Sequence, residues 1–95
     1  MNYSERLIDA MKEAQELPSD YKAAQLLGIT RQMVSNIRAG RRNLSPEQTL
    51  KAAKLAGIDP GIALLRRYQE TIDDLETRHE ISKIEEEIQE LRTVS

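Results

Sequence analysis

The side chains best suited to chemistry fall between Thr30 and Lys54. Gln32 and Asn36 carry amides that can bond bidentately to an adenine edge, and Arg31 carries a guanidinium that suits guanine N7 and O6. Ser35 lies between them, and Arg38, Arg41, Arg42 and Asn43 follow directly. With Lys51 and Lys54, residues 30–54 hold six basic side chains against Glu47 alone. Such a basic run binds polyanions, whereas the amides among it offer hydrogen bonds that carry sequence information. No other chemistry competes. There is no cysteine, so thiolate zinc sites, a Cys nucleophile and disulfides are excluded. His79 is the one histidine, and it sits among Glu and Arg as on a solvated helix face. No nucleophile, base and orienting group come together, and no metal-ligand cluster is visible, so neither an enzyme nor a cofactor is expected.

These residues must be held by helices, because no window alternates apolar and polar residues as a strand does. Tyr3, Leu7, Met11 and Ala14 recur at helical spacing and predict a first helix over about residues 3–16. Pro18 stops it, and Ser19 or Asp20 caps a second helix over about residues 21–27, which Gly28 ends. Thr30 caps a third helix over about residues 31–39. Its apolar residues Val34 and Ile37 turn inward, which leaves Arg31, Gln32, Ser35, Asn36 and Arg38 facing out. Ser45, Pro46 and Gln48 open a fourth helix with a capping box, and Asp59 with Pro60 opens a fifth.

The stretch Asp20–Ala39, DYKAAQLLGITRQMVSNIRA, is two short helices joined by a tight turn. Ala24 allows close helix approach, Gly28 allows the turn, and Ile29, Val34 and Ile37 hold the third helix inward. This stretch resembles the helix-turn-helix of Cro-like (XRE-type) phage and bacterial repressors. It matches their Ala, Gly, apolar, Val and Ile at the fifth, ninth, tenth, fifteenth and eighteenth positions. The TRQMVSN opening of the third helix and the GRR exit strengthen the likeness, which spans roughly residues 3–66.

The resemblance implies an all-α fold: a five-helix lambda-repressor-like helix-turn-helix domain over residues 1–66. It implies a transcriptional regulator, of phage or mobile-element type, acting as a homodimer on a palindromic site in double-stranded DNA. Carried over residue by residue, the base contacts are Arg31, Gln32, Ser35 and Asn36. The phosphate contacts are Arg38, Arg41, Arg42 and Asn43, with Tyr21 and Lys22 at the second helix. The chain departs from the family at Asp20, where repressors often carry Gln. A carboxylate repels phosphate, so Asp20 reads as a cap and Lys22 or Tyr21 takes over the contact.

Residues 67–95 lie outside the resemblance and differ in charge. Residues 1–67 sum to +4 and residues 68–95 to −6, within an overall charge of −2. Leu65, Tyr68, Ile72 and Leu75 make one apolar stripe, and Ile81, Ile84, Ile88 and Leu91 make a second. In one straight helix the stripes face opposite sides at about 100° per residue. Either one helix meets two partners, or the chain breaks near Thr77–Glu80 and folds back. The second stripe needs a partner in either case, because a lone helix of a dozen residues is marginal in water. A homodimer seam is the leading reading. A helix packed on its own domain, a toxin-binding segment as in antitoxins, and a helix-turn-helix serving protein interaction alone are the others. No apolar run approaches a membrane span and no signal peptide opens the chain, so a cytoplasmic protein is expected.

Overall fold

Short-range rules account for most of the helix ends in the computed structural model, which describes residues 2–94. Six helices follow in order: α1 (Tyr3–Ala14), α2 (Asp20–Leu27), α3 (Arg31–Arg38), α4 (Pro46–Ala56), α5 (Pro60–Gln69) and α6 (Leu75–Val94). The described residues contain no strand, so the chain is all-α. Asn2 and Glu5 form a capping box at α1, and Ser45 with Gln48 forms another at α4. Ser19, Thr30 and Asp59 cap α2, α3 and α5 by accepting from the backbone N–H three residues on. Ser19 rather than Asp20 is the cap of α2, which frees Asp20 for another task. The first helix ends at Ala14, two residues before the expected Glu16, which takes a left-handed φ of 53°.

The core is built from the inner faces of five helices. Leu7, Ile8 and Met11 of α1 meet Ala23, Ala24 and Leu27 of α2, Val34 and Ile37 of α3, Ala52 and Ala53 of α4, and Ala63 of α5, with Leu44 from the α3–α4 loop. The small residues matter as much as the large ones. Ala52 and Ala53 are both fully buried, and α4 packs more extensively on α1 and α5 than any other pair of helices does. The α1 stripe is rotated from the one expected: Ile8 is fully buried and Ala14 is exposed. Ser4 is buried without loss because its hydroxyl accepts the Leu44 N–H at 3.0 Å.

The acidic C-terminal segment folds back. The chain turns between Gln69 and Leu75, where Thr71 N–H bonds Tyr68 O and Ile72 N–H bonds Gln69 O. Asp74 then starts α6, accepting from Thr77 N–H at 2.9 Å and from the Thr77 hydroxyl at 2.6 Å. The break therefore lies several residues before Thr77–Glu80. The charge change near residue 67 falls inside α5 and not between elements.

Helices α5 and α6 run antiparallel and are joined mainly by polar contacts. Arg66 Nε donates to Glu85 at 2.5 Å, Gln69 donates to Ser82 Oγ at 2.8 Å and Arg78 O at 3.1 Å, and Arg92 pairs with Asp59. Glu85 is buried, and its neighbours Ile81 and Ile88 are half-buried. The eight apolar residues read as an oligomerisation seam thus divide. Leu65, Ile72, Ile81 and Ile88 are half-buried within the chain, whereas Tyr68, Leu75, Ile84 and Leu91 are exposed. The division arises because α6 turns the face centred on Glu85 toward Arg66, which carries Ile84 and Leu91 to its outer side. No helix among the described residues is long and apolar enough to cross a membrane.

Candidate nucleic-acid interface

A turn of three residues, Gly28 to Thr30, separates α2 from α3. Gly28 takes φ +74° and closes α2 in the left-handed region, where an L side chain is strained. The turn seats α3 on α1 and α2 through Val34 and Ile37, 1% and 0% exposed, with Met33 and Ile29 partly buried beside them. The Thr30 hydroxyl accepts Met33 N–H at 3.0 Å and fixes where the helix begins.

That seating sorts the polar residues of α3. Arg31, Gln32 and Ser35 are exposed and Asn36 is half-buried. Gln32 Nε2 donates to Asn36 Oδ1 at 3.2 Å, and Arg41 Nη2 donates to the same oxygen at 3.4 Å. The amides and the guanidinium thus form one chain along the outer face of α3. At its other end the Arg31 guanidinium lies 5.5 Å from the centroid of the Tyr21 ring, whose hydroxyl accepts from Gln25 at 3.1 Å. A cation over an aromatic face is held in place without being neutralised. Tyr21 and Lys22 are both exposed at the start of α2. Between the start of α2 and α3 lies a hollow of about 370 Å³, bordered by Ser19, Asp20, Tyr21, Arg31, Ser35 and Arg38.

Arg41, Arg42 and Asn43 are exposed in the loop leaving α3. The Ser4 hydroxyl approaches Asn43 Oδ1 at 3.5 Å, at the limit of a hydrogen bond. Lys51 reaches the α2–α3 turn from α4, its Nζ 3.9 Å from where a Cβ on Gly28 would stand.

No protein-family model, no curated protein and no solved structure matches the chain.

Arg38 departs from the sequence expectation. It was expected outward, as a phosphate ligand, but its Nη2 donates to Asp9 at 2.6 Å and to Asp20 at 3.0 Å, and its Nε donates to Asp20 at 3.1 Å. Lys12 completes the group with a 3.1 Å pair to Asp20. The guanidinium is thus committed to two carboxylates on α1 and α2, and it fastens the end of α3 to both. Spacing carried a signal of this: Arg38 follows buried Val34 by four residues and so shares its face. Asp9, Lys12 and Asp20 carried no such signal, because each is a plain surface charge in its own helix. A second tie joins the end of α3 to the start of α1, where Asn2 Nδ2 donates to Ile37 O at 3.4 Å.

The Arg38 hydrogen bonds hold the Asp20 carboxyl below the usual carboxylate range, against the opposing effect of burial and with help from Lys12. Asp9 first, then Asp20, raise the Arg38 guanidinium further. A depressed carboxylate stabilises the fold above its unfolded pKa of about 3.9, and that contribution is lost as pH falls through the folded value. The side chain of Asp20 is 38% exposed, so water screens the pair. Asp20→Asn should then cost about 1 kcal/mol at pH 7. The gap to the parent protein should close as pH falls below about 4. Urea titrations at neutral and acid pH check this; a gap independent of pH would mean that the charge of Asp20 contributes nothing.

Proposed function

We propose that the protein is a sequence-specific DNA-binding transcriptional regulator, of the phage or mobile-element repressor type. In this reading α1–α5 form a five-helix lambda-repressor-like domain, α2 and α3 are its helix-turn-helix, and α3 enters the major groove. The observation that carries it is the continuous outer row of Arg31, Gln32, Ser35 and Asn36, with Arg41 bonded to its end. Amides and guanidinium groups in a row, on a helix seated by its opposite face, match the donor and acceptor edges of base pairs. Arg41, Arg42, Asn43, Lys22 and Tyr21 flank that row and contact phosphates. Arg38 acts from behind, by setting the angle of α3.

Acidic α6 does not compete for this face, since its backbone packs on α5 alone. The regulator acts as a homodimer on two half-sites, with Tyr68, Leu75, Ile84 and Leu91 as the apolar residues left for the contact. The same exposed residues favour a second reading, in which α6 binds a different protein, such as the toxin partner of an antitoxin.

Selecting bound sequences from random DNA tests the proposal. The expected outcome is a palindromic site bound by two copies, seen in the mass of the complex. On that site Gln32→Ala and Asn36→Ala should each lose discrimination against random DNA by about 10-fold, the value of one bidentate contact of about 1–3 kcal/mol. Unchanged discrimination in both variants would remove α3 from the role.

A further inference from the structure

A cleft of about 530 Å³ opens between α1, α5 and α6, on a part of the molecule that the DNA reading does not use. Its apolar lining is Leu7, Ala10 and Ile58. Three guanidinium groups border it: Arg6 from α1, Arg66 from α5 and Arg78 from α6. Two carboxylates also border it, and both are engaged. Glu85 holds Arg66 at 2.5 Å, and Glu70 accepts the Tyr3 backbone N–H at 2.7 Å and pairs with Arg67. Arg6 and Arg78 have no ion-pair partner among the described residues, and both are exposed.

Tyr3 adds an independent observation. Its hydroxyl is buried and gives its hydrogen to no acceptor, while the Arg66 guanidinium lies beside it, 6.0 Å from the ring centroid. Burial pushes the Tyr3 phenol up, although Arg66 opposes this, so it remains a neutral donor at neutral pH. The cleft therefore combines two unpaired guanidinium groups at its rim with an apolar wall. Its volume lies within the range of about 300–1,000 Å³ usual for small-molecule sites.

We propose that this cleft binds a small organic anion, its acidic head between Arg6 and Arg78 and its apolar body against Leu7, Ala10 and Ile58. Such a ligand bridges α1 and α6, two helices whose backbones do not otherwise meet. It ties the acidic extension to the helix whose Asp9 holds Arg38 of α3. The proposal is independent of DNA binding, and so is its test.

The probe is anilinonaphthalene sulfonate, which joins an acidic head to an apolar body and fluoresces when bound. Titrated against the full chain, it should bind saturably. The double variant Arg6→Ala/Arg78→Ala should bind about 10-fold more weakly, as expected for losing hydrogen bonds to a charged group. Lys54→Ala/Lys83→Ala, which removes the same charge from exposed side chains outside the cleft, should bind as the parent does. Phenylnaphthylamine, the same body without the sulfonate, should bind at least about 10-fold more weakly than the sulfonate. Both double variants replace exposed side chains, and circular dichroism confirms that they fold. Equal weakening by the two double variants, equal affinity of the two dyes, or no saturable binding up to about 1 mM would each overturn the proposal.

Discussion

Ile37→Ala should destabilise the protein by about 2–5 kcal/mol, the usual cost of truncating a fully buried isoleucine. Ile37 is 0% exposed and lies where α3 meets α1. α3 has eight residues, too few to persist without tertiary contacts, and only Val34 and Ile37 of it are buried. A domain of this size has about 5–15 kcal/mol in all, so the loss is a large share of its stability. Urea unfolding followed by circular dichroism measures it. A cost under about 1 kcal/mol would mean that α3 is not seated by its apolar face. DNA binding should weaken in the same variant, because the outer row keeps its geometry only while Ile37 and the Arg38 clamp hold the helix. Ile37→Val removes one methylene group, should cost only about 0.5–1.5 kcal/mol, and should leave binding intact.

The second large effect concerns Arg41 and Arg42. Both are exposed and outside the core, so replacing them with alanine should change stability by no more than about 0.5 kcal/mol. Their expected effect is on affinity. A phosphate contact releases counterions, and each one adds about 0.9 to the slope of log K against log salt. The double variant Arg41→Ala/Arg42→Ala should lower that slope by about 2 and weaken selected and random DNA alike. Gln32→Ala and Asn36→Ala should do the reverse, losing discrimination with little change in slope. Titrations at several salt concentrations separate the two classes. An unaltered slope in the double variant would take both arginines off the phosphates.

Local rules in the sequence were enough for the helix ends. Ser45, Pro46 and Gln48 give α4 its capping box, and Gly28 and Gly57 close α2 and α4 in the left-handed region. Such signals are readable because cap and partner lie within four residues of each other, where backbone geometry alone brings them together. The α5–α6 break was less legible. Asp74 and Thr77 form a sound cap, but no Gly or Pro marks the turn, and the apolar stripes on either side suggested a later one.

The residues themselves determined that this protein is helical, that α3 turns Val34 and Ile37 inward, and that Arg31, Gln32 and Ser35 are left outside. A helical period decides which residues share a face, and that much needs no tertiary contact. Only the tertiary structure decided which partner each charged face meets. Arg38 finds Asp9 and Asp20 across gaps of 29 and 18 residues, and Glu85 finds Arg66 across 19. Those pairings depend on how the helices are rotated and crossed, which is set by the packing of Ile8, Ala52, Ala53 and Ile37. The charges of the chain were visible from the start. Their compensation was not, because it is made between helices.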